Sequence, residues 1–137
     1  MDQAKTSIMG EFTLYFDNEY DVYQITEILG IHPTSCKRRS ETRKNPLSGE
    51  KNEGYWTFAT EYVETLDLQD VVNEMIKNII PRIALIKDIL KINEGKTSFC
   101  FVPKIENEEI PAMYFERGFL TVVEELEATI ELDLYVN

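Results

Sequence analysis

The stretch LQDVVNEMIKNIIPRIALIKDIL, residues 68–90, contains the longest helical pattern in the chain and decides its fold class. Its apolar residues recur every three or four positions, as they do in a helix that buries one face. Asp67 or Thr65 can cap its first turn. Because Pro81 lacks the amide hydrogen that a helix interior requires, the pattern predicts either one kinked helix or two helices with Pro81 in the first turn of the second.

Strand patterns lie on both sides of this helical stretch. Apolar and polar residues alternate over residues 11–17, 55–62 and 129–136. Residues 97–104 are typical of a further strand, and residues 112–115 of a short additional one. In the last strand the alternation predicts one buried and one solvated face, which indicates an antiparallel or mixed sheet rather than a buried parallel one.

Two shorter helical patterns complete the predicted elements. One begins near Asp21 and ends at Gly30, a residue suited to the left-handed conformation that terminates helices. The other covers residues 116–127. We therefore predict an α+β fold, a two-layer sandwich with helices on one face of a twisted mixed or antiparallel sheet of four or five strands. The expected order is β-α-β-α-β-(β)-α-β, with the middle helix broken at Pro81.

The length of 137 residues predicts a single domain over residues 1–137. We expect residues 1–9 to be loosely ordered and residues 35–54 to form a long polar, partly basic loop. No apolar run approaches the roughly 18 residues that a membrane span needs, and the N-terminus lacks a signal-peptide pattern. These features predict a cytoplasmic protein with no membrane contact, whose two cysteines, Cys36 and Cys100, are free thiols.

Charge is distributed unevenly along the chain. The net charge is −11, yet residues 37–44 contain five basic residues and one acidic residue. This run contributes +4, which leaves −15 for the rest of the chain. A surface this acidic repels nucleic acid over most of its area and suits a basic protein partner. The charge pattern therefore disfavours nucleic acid as a ligand.

The segment around the basic run contains the candidate contact residues. Its cations can hold the phosphate or carboxylate of a ligand, or can pair with the protein's own acidic surface. The sole histidine precedes the run, and the sole tryptophan opens the strand after it, where it can line an interface or pack in the core. The candidate ligand or partner contacts are Lys37, Arg38, Arg39, Arg43, Lys44, His32 and Trp56.

The sequence lacks the patterns of known catalytic and metal sites. One histidine and two distant cysteines exclude an ordinary zinc site. Glu106, Glu108 and Glu109 do not have the spacing of a calcium loop. There is no glycine-rich phosphate loop and no nucleophile elbow. We therefore assign no catalytic residue, metal or cofactor, and the sequence favours a non-enzymatic role without deciding it.

Several short motifs together resemble one known family. They are Phe12-Thr13-Leu14-Tyr15-Phe16, Ile28-Leu29-Gly30-Ile31-His32-Pro33-Thr34, Tyr55-Trp56-Thr57, the proline-broken long helix and the ending Leu132-Asp133-Leu134-Tyr135-Val136. Over nearly the whole chain the sequence resembles the bacterial domain-of-unknown-function family 4279 (DUF4279). The resemblance implies a small bacterial cytosolic protein, and it implies neither an activity nor a catalytic residue.

Two functions of different classes remain. The first is a non-catalytic protein-interaction module, of the immunity or inhibitor kind, that engages a basic partner. The acidic background and the acidic side of the last strand, Glu131 and Asp133, support it. The second is a small-ligand-binding protein or enzyme that holds an anionic ligand, bearing phosphate or carboxylate, with the basic 37–44 loop. Self-association through a sheet edge, which would give a homo-oligomer, stays a third alternative. The sequence favours the first.

Overall fold

The computed structural model describes residues 4–43, 47 and 52–137, and its helices and strands form the predicted α+β fold. The strands and α-helices are, in chain order, β1 Ser7–Phe16, α1 Tyr23–Leu29, β2 Ser35–Lys37, β3 Gly54–Ala59, β4 Val63–Glu64, α2 Leu68–Ile79, α3 Ile83–Ile92, β5 Lys96–Ile105, α4 Arg117–Leu126, β6 Thr129–Leu132 and β7 Tyr135–Val136. Two short 3-10 helices cover Arg39–Glu41 and Ile80–Arg82. The predicted fold class is confirmed.

The strands form one mixed sheet with the order β2-β3-β1-β5-β6. Strand β4 pairs with β1 beyond the end of β3, and β7 pairs with β5 beyond the end of β6. The central pairs β3-β1 and β1-β5 are antiparallel, whereas β6 and β7 both lie parallel to β5. The sheet is therefore five strands wide, although it contains seven strands among the described residues. The predicted number of four or five strands is thus too low.

One additional strand arises from a bulge after β3. Strand β1 pairs Glu11 with Ala59 and Ile8 with Val63. The segment from β3 to β4 therefore contains one more residue between these two pairs than β1 does, which is a β-bulge. At this point the Thr60 amide donates to the Gly10 carbonyl at 2.9 Å, and the Gly10 amide donates to Thr60 Oγ1 at 2.9 Å. The strand predicted over residues 55–62 is consequently two strands.

The other additional strand arises at a proline. Strands β6 and β7 keep the same register against β5, and they are interrupted opposite Val102 and Pro103. Pro103 has no amide hydrogen to donate to the neighbouring strand, so the hydrogen-bond ladder is broken there. The strand predicted over residues 129–136 is therefore divided into β6 and β7, which follow one line along the edge of the sheet.

Three further predictions differ from the structure in detail. Strand β1 begins at Ser7, inside the segment expected to be loosely ordered, because it pairs there with both β4 and β5. Strand β2 and a 3-10 helix lie inside the segment expected to be a loop. The short strand predicted at residues 112–115 is reduced to a single bridge between Ala112 and Asp67, since only two backbone bonds join these segments.

The structure settles how Pro81 interrupts the long helical pattern. Pro81 lies in the 3-10 helix between α2 and α3, so the pattern forms two helices. Asp67 caps α2 by accepting a hydrogen bond from the Gln69 amide at 3.0 Å. Near the break, the Arg82 side chain donates to the carbonyls of Asn78 at 2.8 Å and Leu29 at 2.7 Å. The same arginine thus satisfies the carbonyl of Leu29 at the end of α1.

The four α-helices pack on one face of the sheet, and the core lies between the two layers. Phe12, Trp56 and Phe99 extend from β1, β3 and β5 into this core and are completely buried. Trp56 Nε1 donates to Thr26 Oγ1 of α1 at 3.1 Å, and the Phe119 ring of α4 lies edge-on to Phe99. No helix among the described residues packs on the opposite face of the sheet, which we call the open face.

Candidate functional site

The four described cations of the basic run, Lys37, Arg38, Arg39 and Arg43, do not form one cluster. Lys37 ends β2 with its side chain exposed, whereas the guanidinium of Arg38 lies 5.7 Å from the centroid of the Tyr23 ring on α1. Arg38 Nε also pairs with Glu41 Oε1 at 3.3 Å. Arg39 begins the 3-10 helix and is half-buried, while Lys44 lies outside the described residues. The run is therefore divided between the α1 side and the open face.

Glu41 holds the α1 side of the run together. Its carboxylate accepts hydrogen bonds from the Tyr23 hydroxyl at 2.8 Å and from the Arg38 amide at 2.9 Å. The bond from the Arg38 backbone, followed by that from Tyr23, lowers the pKa of Glu41. Gly54 lies against the same turn, because a Cβ atom at Gly54 would be only 2.8 Å from the Arg39 amide nitrogen. These contacts give Arg38 a local structural partner.

On the open face, Lys37 and Arg43 line a groove where strands β1, β2 and β3 meet the following loop. The groove has a volume of about 440 Å³. Its lining residues are Tyr15, Lys37, Thr42, Arg43, Asn52, Glu53 and Tyr55. Burial, followed by the nearby Asp17 carboxylate, raises the pKa of Glu53. The groove thus combines two exposed cations with two aromatic rings and one carboxyl group.

The strand register places the two tyrosines side by side. Tyr15 of β1 pairs directly with Tyr55 of β3, and the outer partners of this pair are Lys37 on β2 and Lys96 on β5. These four side chains form one line across the open face, which we call the tyrosine row. Side chains that are directly opposite on paired strands lie about 5 Å apart at Cβ, so neighbouring members of the row are in reach of one another.

A second line of side chains lies two residues further along each strand, on the same face. All its members carry a hydroxyl group, and we call it the hydroxyl row. Its members are Ser35, Thr57, Thr13, Ser98 and Thr129. Thr13 Oγ1 and Thr57 Oγ1 are hydrogen-bonded at 2.8 Å. Thr13 and Ser98 are buried although they lie on the open face. Larger neighbouring side chains on this face must therefore cover them.

The far side of the open face is acidic. Glu11 of β1 pairs with Cys100 of β5, which in turn pairs with Glu131 of β6, and Asp133 lies just beyond. Burial, followed by the charges of Glu11, Glu131 and Asp133, raises the pKa of Cys100 to about 11. The Cys100 thiol is therefore uncharged at neutral pH and is not an activated nucleophile.

We predict that Cys100 reacts slowly with iodoacetamide. With a pKa of about 11, two units above that of an ordinary thiol, its thiolate population at pH 8 is about 100-fold smaller. In a Cys36→Ser variant, the alkylation rate at pH 8 should be at least about 100-fold below that of free cysteine and should rise as the pH approaches 11. Glu131→Gln should accelerate it. A rate equal to that of free cysteine would contradict this assignment.

The remaining candidates do not join the groove. His32 is exposed between α1 and β2, and Cys36 is half-buried. Burial raises the pKa of the Cys36 thiol, which is opposite to the shift of an imidazole-activated cysteine. Trp56 is completely buried beneath α1 and is not accessible to a partner. The described part of the chain contains no group of three or more histidine, cysteine or carboxylate side chains placed to bind a metal ion.

A second groove, of about 580 Å³, lies between α3 and α4. It is lined by three lysines and four acidic residues, and it contains no aromatic side chain. Because cations and carboxylates are mixed along its walls, it presents no single charge to a ligand. The groove at the tyrosine row, which combines two cations with two aromatic rings, is therefore the better candidate for an anionic ligand.

The family comparison covers almost the whole chain. A family model described as a domain of unknown function (DUF4279) matches residues 6–137. The chain belongs to this family. The DUF4279 match begins just before β1 and includes every strand and helix, so the sheet with its four helices is the DUF4279 domain of this chain. No curated protein and no solved structure is significantly similar to it. In residues 4–43, 47 and 52–137, no helix has the length and apolarity needed to cross a membrane.

The candidate contacts chosen from the sequence do not include Tyr15 or Tyr55. The alternation around Phe12 and Phe16 does place Tyr15 on the opposite strand face, and Tyr55 likewise alternates with Trp56. What the sequence lacks is the register that pairs these two residues across β1 and β3. Their alternation with core residues was the available signal.

Proposed function

We propose that this DUF4279 protein is a non-catalytic protein-interaction module, of the immunity or inhibitor kind, that binds an extended basic segment of a partner protein along the β6–β7 edge. The observation that carries the proposal is the exposure of this edge. Leu132, Leu134 and Val136 remain 46%, 48% and 74% exposed although their side chains alternate toward the helical side of the sheet. An added strand would cover them.

The backbone of the edge supports addition of a strand. The amides of Asp133 and Asn137 donate inward to the carbonyls of Phe101 and Ile105, both at 2.9 Å. Since consecutive residues of a strand direct their backbone groups to opposite sides, the N–H and C=O groups of Leu132 and Leu134 point away from β5. Outward-directed groups on an edge strand are the groups that an incoming peptide uses in strand addition.

The charge of the edge selects a basic partner. Glu131 and Asp133 project on the open-face side, and together with Glu11 they surround Cys100 of β5. Between described residues only one side-chain ion pair is formed, Arg38–Glu41, so these carboxylates have no cation from that part of the chain. A partner strand with lysine or arginine at alternate positions supplies the missing charges and places its apolar residues beside Leu132 and Leu134.

The same charges disfavour pairing of two copies of this protein. An antiparallel pair of β6 strands related by a two-fold axis would bring Glu131 and Asp133 of one copy close to those of the other. Like charges on directly opposite residues destabilise a strand pair. A basic segment of another protein is therefore a better partner for this edge than a second copy is. The experiment below also detects a dimer.

The proposal predicts binding of a blocked peptide of about seven residues in which lysine and valine alternate. Binding should weaken at least about tenfold in Glu131→Lys/Asp133→Lys, because two attractive contacts become repulsive. Isothermal titration calorimetry gives the affinities. Hydrogen exchange should show new protection at Leu132 and Leu134 in the complex.

The matched control is Glu124→Lys/Glu125→Lys on α4, which changes the net charge equally at exposed positions away from the edge. Its affinity for the peptide should remain within about twofold of the unchanged protein. Equal losses in the two variants would show general charge attraction and contradict the proposal, as would binding without protection of the edge amides. A concentration-dependent dimer in which the same amides are protected would show that the edge binds a second copy of this protein, and this would contradict the proposed basic partner.

A second candidate function is favoured by a separate observation. Lys37 and Arg43, both exposed, line the same groove at the tyrosine row and form no ion pair with a described residue. Two such cations side by side suit a phosphate or carboxylate group. This supports the alternative of a small-ligand-binding protein that holds an anion with the basic segment.

A further inference from the structure

The tyrosine rings of the groove lie along the sheet. Tyr15 and Tyr55 are paired with each other, yet their hydroxyl groups contact the hydroxyl row. Ser98 Oγ donates to the Tyr15 hydroxyl at 3.5 Å, and the Tyr55 hydroxyl is 3.1 Å from Ser35 Oγ. Ser98 pairs with Thr13, two positions before Tyr15. Ser35 pairs with Thr57, two positions after Tyr55. Both rings therefore lean along their strands toward the hydroxyl row, Tyr15 toward β5 and Tyr55 toward β2.

Burial of the small residues beneath the rings supports this arrangement. Thr13 and Ser98 are only 5% and 4% exposed, although no described helix packs on the open face. A ring that stood upright from the sheet would leave such short side chains open to water. Rings that lie over them instead turn one face toward the sheet and the other toward solvent. The two tyrosines thus present two ring faces on neighbouring strands of the open face.

The cations stand at one end of this surface. Lys37 is the outer neighbour of Tyr55, and Arg43 lines the same groove. At the other end, Lys96 is the outer neighbour of Tyr15 and lies close to the Glu53 carboxyl group. Two of these three described cations, Lys37 and Arg43, thus line the groove itself, and the polar groups of Asn52 and Glu53 border it.

From this arrangement we infer that the groove binds a small planar aromatic anion, of the class of nucleoside monophosphates. The ring of the ligand stacks on Tyr15 and Tyr55, and its phosphate is bound by Lys37 and Arg43. Stacking on tyrosine accepts any planar ring, and cations at the rim fix the direction of the ligand. The groove volume of about 440 Å³ falls within the usual range for small-ligand sites. The site is separate from the β6–β7 edge, and the inference rests on the second candidate function, the anion-binding groove, rather than on the proposed partner binding.

A longer nucleic acid does not fit the rest of the open face. The acidic residues Glu11, Glu131 and Asp133 lie beyond the hydroxyl row, on the side where β5 and β6 continue the sheet. A backbone of several phosphates that extended from the groove across the sheet would meet these carboxylates. The surface therefore favours a ligand with a single anionic group over an oligonucleotide.

The experiment compares AMP, adenosine, inorganic phosphate and a six-nucleotide single strand of deoxyadenosine by calorimetry at low and moderate salt. We expect AMP to bind at least about tenfold more tightly than adenosine or phosphate, since only AMP uses both rings and cations. The oligonucleotide should bind no more tightly per molecule than AMP. Tighter binding of the oligonucleotide would indicate a single-strand-binding surface and overturn the inference, as would phosphate binding as tightly as AMP.

Variants separate the two halves of the site. Lys37→Ala/Arg43→Ala should lower the affinity for AMP at least about tenfold and leave the affinity for adenosine unchanged. Both side chains are exposed and act only on the phosphate. The matched control, Lys77→Ala/Lys87→Ala, removes two exposed cations on α2 and α3, outside the groove and off the sheet, and should leave the affinity for AMP unchanged. Tyr15→Leu/Tyr55→Leu should abolish the preference for AMP over phosphate.

Thermal denaturation verifies that each variant is folded. If Tyr15→Leu/Tyr55→Leu is unfolded, Tyr15→Phe/Tyr55→Phe takes its place, because it retains both rings. The phenylalanine variant should bind AMP within about threefold of the unchanged protein, since stacking uses the ring and not the hydroxyl. Equal weakening of AMP by the cation variant and by its control would overturn the inference. Peptide binding at the β6–β7 edge should be the same in all these variants, so either proposal can fail without the other.

Discussion

Replacing Trp56 by alanine is expected to lower the free energy of unfolding by about 3–5 kcal/mol. The side chain is completely buried, and its strand neighbours Leu14 and Cys36 flank it on the same face of the sheet. Truncation removes the largest buried ring and leaves a cavity beneath α1 that rigid strands cannot close. It also removes the donor to Thr26 Oγ1. Urea denaturation followed by circular dichroism measures the change.

Two controls separate the ring from its hydrogen bond. Trp56→Phe keeps an aromatic ring and should lose clearly less than Trp56→Ala. Thr26→Val removes the acceptor while leaving the indole N–H buried, which should cost about 1–3 kcal/mol. A loss below about 1 kcal/mol in Trp56→Ala would show that the site can collapse around the missing ring and would contradict the expected cavity.

Features governed by local chemistry could be predicted from the sequence. Gly30 ends α1 in the left-handed conformation, with φ of 69°, as its position after the apolar stripe indicates. Asp67, one of the two cap candidates, caps α2, and Pro81 interrupts the helical pattern, although the sequence leaves open whether it kinks one helix or separates two. Each of these outcomes depends on one residue and its immediate neighbours in the chain. For that reason the sequence predicts the positions of the helices without knowledge of the sheet.

Features that depend on strand pairing could not be predicted. The bulge after Ala59 requires the register of β3 and β4 against β1. The break between β6 and β7 requires that their partner strand place Pro103 opposite the gap. Alternation in a single strand predicts which side chains share a face, and it says nothing about which residue lies opposite. The number of strands was underestimated for this reason.

The candidate site shows the same division. The charge of the basic run is visible in the sequence, but the pairing of β2 with β3 decides that Lys37 joins the groove. A local contact with Glu41 directs Arg38 toward Tyr23. The acidic side of the last strand, Glu131 and Asp133, was visible in the sequence. Its position at an exposed edge was not, because strand order is a property of the whole sheet.

Replacing Phe119 by alanine should cost a similar 3–5 kcal/mol, because this ring joins α4 to the sheet. Phe119 is completely buried, and its centroid lies 5.0 Å from that of Phe99, 5.7 Å from that of Phe101 and 5.3 Å from that of Phe115. The contacts to Phe99 and Phe101 are edge-on, the favourable geometry for aromatic pairs. Urea denaturation gives the loss. A loss below about 1 kcal/mol would contradict this role of the ring.

The adjacent Leu120 provides the matched control for Phe119, since it is 46% exposed on the same helix. Leu120→Ala should cost less than about 1 kcal/mol, because much of its side chain already contacts water. The two variants should also differ at the partner-binding edge. Helix α4 leads directly into β6, so a loosened α4 in Phe119→Ala should speed hydrogen exchange at Asp133, whose amide donates to Phe101. Equal exchange at Asp133 in both variants would mean that β5 alone, and not the packing of α4, holds the β6–β7 edge in place.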